Sequence, residues 1–329
     1  MALWQVLAGG ERRLARGPAG RGPQELLPEP VTIDGLLGGP PGALAAALAG
    51  PAAGPVPAGA RVVAPVGGQE VWAAGVTYTR SLDARVAESG TPDPYERVYV
   101  AERPELFFKA APGRVRGPGE PVGIRADSAW DVPEPELAVV ADSGGRIVGF
   151  VNGNDMSSRS IEGENPLYLP QAKIYTGSCA LGPCLATPDE VPDLASLLIS
   201  LRVVRDGAEM VADTVKVTDL HRSPRELVAW LFRAQEFPVG VVLLTGTAIV
   251  PPADFTLRAG DEVIIATTGL GELRNVVRPS DPCRSGGFQH DTARPRPRAA
   301  QARRAQPARP RHRRLGRHRR PGKRRGLGA

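Results

Sequence analysis

From residue 70 to about residue 277, apolar side chains recur in short alternating runs broken by Gly and Asp turns, a period-two pattern that predicts a β-rich core with few helices. The clearest strand pair is 136–141 with 146–152, joined through Asp142-Ser143-Gly144-Gly145 as a hairpin. Further strands are expected at 198–204, 241–244 and 262–266, the last entered through Ala259-Gly260-Asp261. One helix is marked by its start: Ser223 as N-cap, Pro224 at the first helical position and Glu226 three residues after the cap. It is expected to reach about Gln235. Ahead of residue 70, a Gly, Pro and Ala-rich section at 38–59 interrupts short apolar runs, so 1–69 reads as a small, loosely built N-terminal region. After Arg278 the periodicity ends, and a mixture of Arg, Pro, Ala and Gly cannot bury enough apolar surface to offset the entropy of ordering. The chain therefore reads as an N-terminal region at 1–69, a catalytic domain at 70–278 and a disordered basic tail at 279–329.

Composition narrows the function classes. The 329 residues are 42% hydrophobic, enough for a sizeable core, yet no stretch of about 18 apolar residues appears. A soluble protein with no membrane partner is expected. The three cysteines, Cys179, Cys184 and Cys283, match no paired metal-binding spacing, which argues against a disulfide framework or a zinc site and for a reducing cytoplasm. The net charge of +6 hides an asymmetry: 279–329 holds 16 Lys and Arg against two Asp, which leaves 25 basic against 33 acidic residues, a net of −8, in 1–278. Clustered arginines release counterions from phosphates, so the tail could bind nucleic acid electrostatically. Without interleaved aromatics or a nucleic-acid module, specific binding is not expected. A frame-shifted reading of a GC-rich gene is a second origin that fits this tail.

In Asp131-Val132-Pro133-Glu134-Pro135-Glu136, two glutamates sit two apart where an apolar strand begins, so both point to one face. A hairpin turn centred near Gly144 puts Asn154 opposite Glu134 and brings Asp155 beside the pair. Three converging carboxylates suit a hard cation with oxygen ligands such as Mg²⁺; an isolated pair would more often be a solvated strand end. The polar segment 157–173 is too long for a tight turn and too polar for core, and Lys173 at its end reads either as a point charge for a substrate carboxylate or as an ordinary surface lysine. Glu105 and Lys109 flank an apolar Leu106-Phe107-Phe108 run, a setting that raises a carboxyl pKa and suits acid/base chemistry, or else caps a strand edge. His221, the only histidine before the tail, has no G-x-S-x-G elbow to serve and reads as structural, which disfavours a serine hydrolase.

Gly75-Val76-Thr77-Tyr78, Glu134 with Glu136, Asn154-Asp155 and Thr245-Gly246-Thr247 occur in an order that resembles the fumarylacetoacetate hydrolase superfamily. Within it, 157–173 looks like the branch of 2-keto-3-deoxy-D-arabinonate dehydratases. The resemblance implies a mixed β-sandwich roll, a homo-oligomer (dimer or tetramer), and Mg²⁺ or Mn²⁺ on Glu134, Glu136 and Asp155. It implies Glu105 and Lys173 as catalytic residues and Lys109, Arg159 and Thr247 as contacts for a small 2-keto acid. The expected reaction is dehydration of a 2-keto-3-deoxy sugar acid to 2,5-dioxopentanoate in pentose catabolism. The hydrolases' histidine, three residues after the motif tyrosine, is Ser81 here, which puts carbon-carbon hydrolysis in doubt. An acylpyruvate- or fumarylacetoacetate-type hydrolase and a 2-keto acid decarboxylase remain readings on the same scaffold, and a nucleic-acid-binding protein acting through its tail is the reading from another class.

Overall fold

The computed structural model describes residues 1–88, 93–191 and 193–280. The tail expected to be disordered, with the nucleic-acid binding considered for it, lies outside the described residues beyond Ser280. The β-rich α+β architecture expected from the period-two pattern is the one the chain adopts.

The hairpin expected around Gly144 forms from strands Pro135–Ala141 and Ile147–Asp155, the second reaching three residues past the expected end at Asn152 and so carrying Asp155. Asp142 fixes its turn, accepting hydrogen bonds at Oδ1 from the backbone N–H groups of Gly144 and Arg146, both at 3.0 Å. On one side, Val241–Leu244 pairs antiparallel with Pro135–Ala141 and parallel with Glu70–Gly75, which in turn pairs with Glu105–Ala110. On the other side, Cys179–Ala186 pairs with Ile147–Asp155 and then with Ala2–Ala8. The first 69 residues thus feed the same eleven-stranded sheet, with Ala2–Ala8 also bonded to Glu11–Gly17 and Arg61–Val63.

Every residue of Pro135–Ala141 is buried, because both faces of this sheet are covered. Leu137, Val139 and Ala141 share a core with Leu201, Val203, Val263 and Ile265 of a five-stranded sheet, whereas Ala138 and Val140 pack with Ile33, Leu37, Leu44 and Leu48 of two N-terminal helices, Ile33–Leu37 and Ala43–Ala49. Double coverage explains why the segment reads as a continuous apolar run rather than an alternating one.

The expected strands at 198–204, 241–244 and 262–266 appear as Leu198–Arg205, Val241–Leu244 and Glu262–Thr267. The expected helix is Pro224–Leu231, with Ser223 accepting from the Glu226 N–H as foreseen. It stops four residues short of Gln235. Phe232 turns the chain so that its ring meets Phe237 edge-on at 5.0 Å, and Phe237 reaches Trp72 at 6.4 Å, which returns the backbone to the sheet. Of two helices the pattern did not announce, Thr79–Glu88 and Asp93–Val100, the first carries Ser81 and Arg85 into the lining of the site described next. His221 stacks on Tyr99 with ring centroids 4.4 Å apart, outside that site. Among the described residues no helix is long and apolar enough to cross a membrane.

Candidate active site

The hairpin register opposes Pro135 to Asn154 and Glu136 to Gly153, and the Asp155 N–H donates to the Glu134 carbonyl at 2.9 Å. Glu134, Glu136 and Asp155 thereby converge; each is buried, and each can offer an oxygen within 4.8 Å of the other two. The donor set fits a hard divalent cation: three converging carboxylates, with no nitrogen or sulfur among them.

The counter-charges are unevenly shared. Glu134 accepts from Arg85 at 2.9 Å and from Lys173 at 2.8 Å, with Arg159 3.2 Å away. Asp155 pairs with Lys173 at 3.0 Å and with Lys109. Glu136 receives the Gly246 N–H at 2.6 Å, and among the described residues no basic side chain pairs with it. Burial, reinforced by the charges of Asp155 and Glu134, pushes the Glu136 carboxyl well above the usual carboxylate range. A cation at the triad would supply the positive charge that this carboxylate lacks. Burial works against the charge of Lys173, but Asp155 and Glu134 outweigh it and raise its pKa, so the ammonium stays protonated while it also donates to Ser157 Oγ at 2.6 Å.

Glu105 opens its strand directly opposite Gly75. A Cβ at Gly75 would lie 2.0 Å from Glu105 Oε2, so the glycine of the first motif makes room for the carboxyl. Although part of Glu105 stays open to the pocket, its carboxyl is deeply set. Burial, then the nearby Glu162 charge, raises its pKa to about 7, with Lys173 and Arg85 opposing. The neighbouring turn is tightly built: Thr77 donates to the Thr245 carbonyl at 2.7 Å, and Gly246 has φ +99, with Thr77 Oγ1 1.9 Å from where its Cβ would lie. Val76 at φ 51 holds a strained conformation for a β-branched residue. Together these segments shape a small pocket lined by Ser81, Arg85, Glu105, Phe107, Lys173 and Thr247 over the triad.

Two expected substrate contacts sit elsewhere. Lys109 and Arg159 are almost wholly buried and do not line the pocket. Lys109 lies behind the triad, donating to the Met156 carbonyl at 3.0 Å and to that of Lys173 while pairing with Asp155; Arg159 sits against Glu134. Lys109, held by two carbonyls and an aspartate, has no donor left for a ligand and serves to position Asp155. Lys109→Met is accordingly expected to destabilise the protein by roughly 3–5 kcal/mol, because it strands a buried charge and two carbonyls. It should also weaken Mg²⁺ binding by about 10–100-fold through loss of Asp155 positioning. Calorimetric unfolding and a Mg²⁺ titration of the variant check both. The sequence reading passed over Arg85 and Glu162, which pair at 3.0 Å inside the pocket. The i, i+3 spacing of Arg159 and Glu162 in a capped segment was the available signal.

Comparison with known proteins agrees with this geometry. Residues 70–278 match the fumarylacetoacetate (FAA) hydrolase C-terminal family. A probable 2-keto-3-deoxyxylonate dehydratase of Haloferax volcanii is 51% identical over 213 residues, 65% of this chain and 73% of that protein. The 2-dehydro-3-deoxy-D-arabinonate dehydratase of Saccharolobus solfataricus is 44% identical over 222 residues, 66% of this chain and 74% of that one. Among solved structures, 2-keto-3-deoxy-D-arabinonate dehydratase complexed with magnesium and 2,5-dioxopentanoate superposes with a TM-score of 0.73 at 34% identity, covering 85% of this chain and 99% of the other. Matched by this family over more than half of its length, and alike in fold to that solved structure, the chain belongs to the fumarylacetoacetate hydrolase family.

Proposed function

We propose that this chain is a Mg²⁺- or Mn²⁺-dependent hydro-lyase that removes water from a 2-keto-3-deoxy sugar acid such as 2-keto-3-deoxy-D-arabinonate, giving 2,5-dioxopentanoate. The observation that carries the reading is a single carboxyl, Glu105, set near pH 7 in the same pocket as the carboxylate triad. A divalent cation held by Glu134, Glu136 and Asp155 supplies the Lewis acidity that polarises the ketone of a 2-keto acid and acidifies its C3 protons. Ionised Glu105 takes one C3 proton; the electron pair moves toward C2, then returns as the C4–O bond breaks. Glu105 delivers the proton to the departing hydroxyl, which leaves as water, and in the remaining 5-hydroxy enone a proton shifts from C5 to C3 so that the C5 hydroxyl, through its enol, becomes the second carbonyl. Lys173, kept charged, balances the negative charge that develops on the substrate, and Thr247 orients it at the pocket wall.

Ser81 supports elimination over hydrolysis. Its hydroxyl donates to the Tyr78 carbonyl at 2.8 Å, so the position is spent on the start of a helix and offers no base to activate water. The catalytic domain in this reading is 70–278, supported by the extent of the family match. The protein is read as a cytoplasmic dimer or tetramer: the thiols of Cys179 and Cys184 are free and buried, as a reducing compartment allows, and the oligomer rests on the family resemblance.

The test is turnover of purified protein on a panel of 2-keto-3-deoxy-pentonates and acylpyruvates. Dehydration of the sugar acids that stops with a chelator and returns with Mg²⁺ is expected. Turnover of acylpyruvates alone overturns the proposal.

A further inference from the structure

We infer that Glu162 is the specificity-determining residue of this pocket, accepting a hydrogen bond from the terminal hydroxyl of the substrate. The inference rests on the dehydratase reading and deepens it, because it says which 2-keto acids the site prefers.

Glu162 reaches the site from the short helix Arg159–Glu164, whose N-cap Ser158 accepts from the Ile161 N–H at 3.4 Å. Residues three apart on a helix share a face, so Arg159 and Glu162 turn inward together, 3% and 4% exposed. One carboxylate oxygen of Glu162, Oε1, accepts from Arg85 Nε at 3.0 Å. The other, Oε2, is buried and has no hydrogen-bond partner among the described residues, although the side chain lines the pocket. A buried carboxylate oxygen without a donor is unfavourable, and a ligand that brings a donor removes that cost.

The identity of the donor follows from what the rest of the pocket supplies. Glu134, Glu136 and Asp155 are the place for the oxo-acid end, and Lys173 adds positive charge beside them. An anionic group would be repelled by Glu162, and an apolar end would leave Oε2 unmet. A neutral hydroxyl is the substrate group that answers it. Arg85 bridges the two regions, donating to Glu134 at 2.9 Å and to Glu162 at 3.0 Å, so the acceptor is held one guanidinium away from the triad. With C2 at the triad end and C3 given to Glu105, the hydroxyl on C5 is the one left for Glu162.

The experiment separates hydroxyl recognition from general support of the site by using two unreactive ligands on the Mg²⁺-loaded protein: 5-hydroxy-2-oxopentanoate and 2-oxopentanoate, neither of which has a C4 hydroxyl to lose. Wild type is expected to bind the hydroxylated ligand tighter by on the order of ten- to a hundredfold, the range of a hydrogen bond to a charged acceptor. In Glu162→Met that ratio should fall to about one through loss of affinity for the hydroxylated ligand, with 2-oxopentanoate still bound. Should the methionine variant not fold, Glu162→Asp, which keeps the charge but withdraws the carboxylate, should show the same selective loss. Equal weakening of both ligands, or a wild type that binds them alike, overturns the inference. A wild type that shows the preference but fails to dehydrate 2-keto-3-deoxy-pentonates overturns the dehydratase reading and leaves this one standing.

Discussion

Glu136→Gln is expected to raise the melting temperature of the metal-free protein while sharply lowering its metal-dependent turnover. Burial and the adjacent charges of Asp155 and Glu134 hold the folded-state pKa of Glu136 above its unfolded value. A group shifted in that direction supports the fold fully below the unfolded carboxylate pKa and loses that support as pH rises through the folded one. Near neutrality the metal-free protein therefore carries either a retained proton or an unfavourable buried charge. Glutamine removes the problem and keeps the bond from the Gly246 N–H, now 2.6 Å from the carboxylate, through its carbonyl oxygen. Each kcal/mol gained should raise Tm by about 2–4 °C in a unit of this size. The same change deletes one of three cation ligands, so turnover should drop by on the order of 10²–10³ or more, the scale set by losing one preorganised electrostatic stabiliser. Wild type should gain stability from Mg²⁺ by mass action, and the variant should not. Scanning calorimetry with chelator and with Mg²⁺ decides: an undiminished Mg²⁺ shift in Glu136→Gln would remove Glu136 from the metal site.

That triad was readable because everything it depends on is local. Two glutamates at period two, a short turn and an Asp at the matching height fix one another through hairpin register, and the structure realises that register between Pro135 and Asn154. The surroundings of Lys109 and Arg159 were not legible, for the opposite reason. A basic residue near a motif reads the same whether it faces a ligand or a carboxylate of its own protein, and only tertiary packing separates the two. Arg85 escaped notice because its helix, Thr79–Glu88, has a weak apolar face, and its partner Glu134 is distant in sequence. The pairing of Ala2–Ala8 into the central sheet could not be read locally, because its partner there, with Ala2 opposite Ala186, is more than 180 residues away along the chain.

Glu105 carries the chemistry of the proposal, and its protonation should govern the rate. As a base it must be ionised, and its pKa is raised to about 7, by burial first and by Glu162 second. The profile of kcat/KM is therefore expected to climb as pH rises and to level off above neutrality, with the inflection at or below about 7, since a cation at the triad favours the ionised form as Lys173 and Arg85 already do. Stability should run the other way: a carboxyl with a raised folded-state pKa supports the fold at low pH and loses that support as pH passes through about 7. Glu105→Gln removes both dependences. Its kcat should fall by about 10²–10⁴, the usual worth of a positioned proton-transfer group, with KM changed little because the oxo-acid end is held by other residues. Above neutral pH the variant should unfold at a higher temperature than wild type. A variant within tenfold of wild-type kcat, or an acid limb that survives at the same inflection in its residual activity, would move the proton transfer to another group of the pocket. In that event Glu162, whose free oxygen lies in the same pocket, would be the next residue to titrate by substitution.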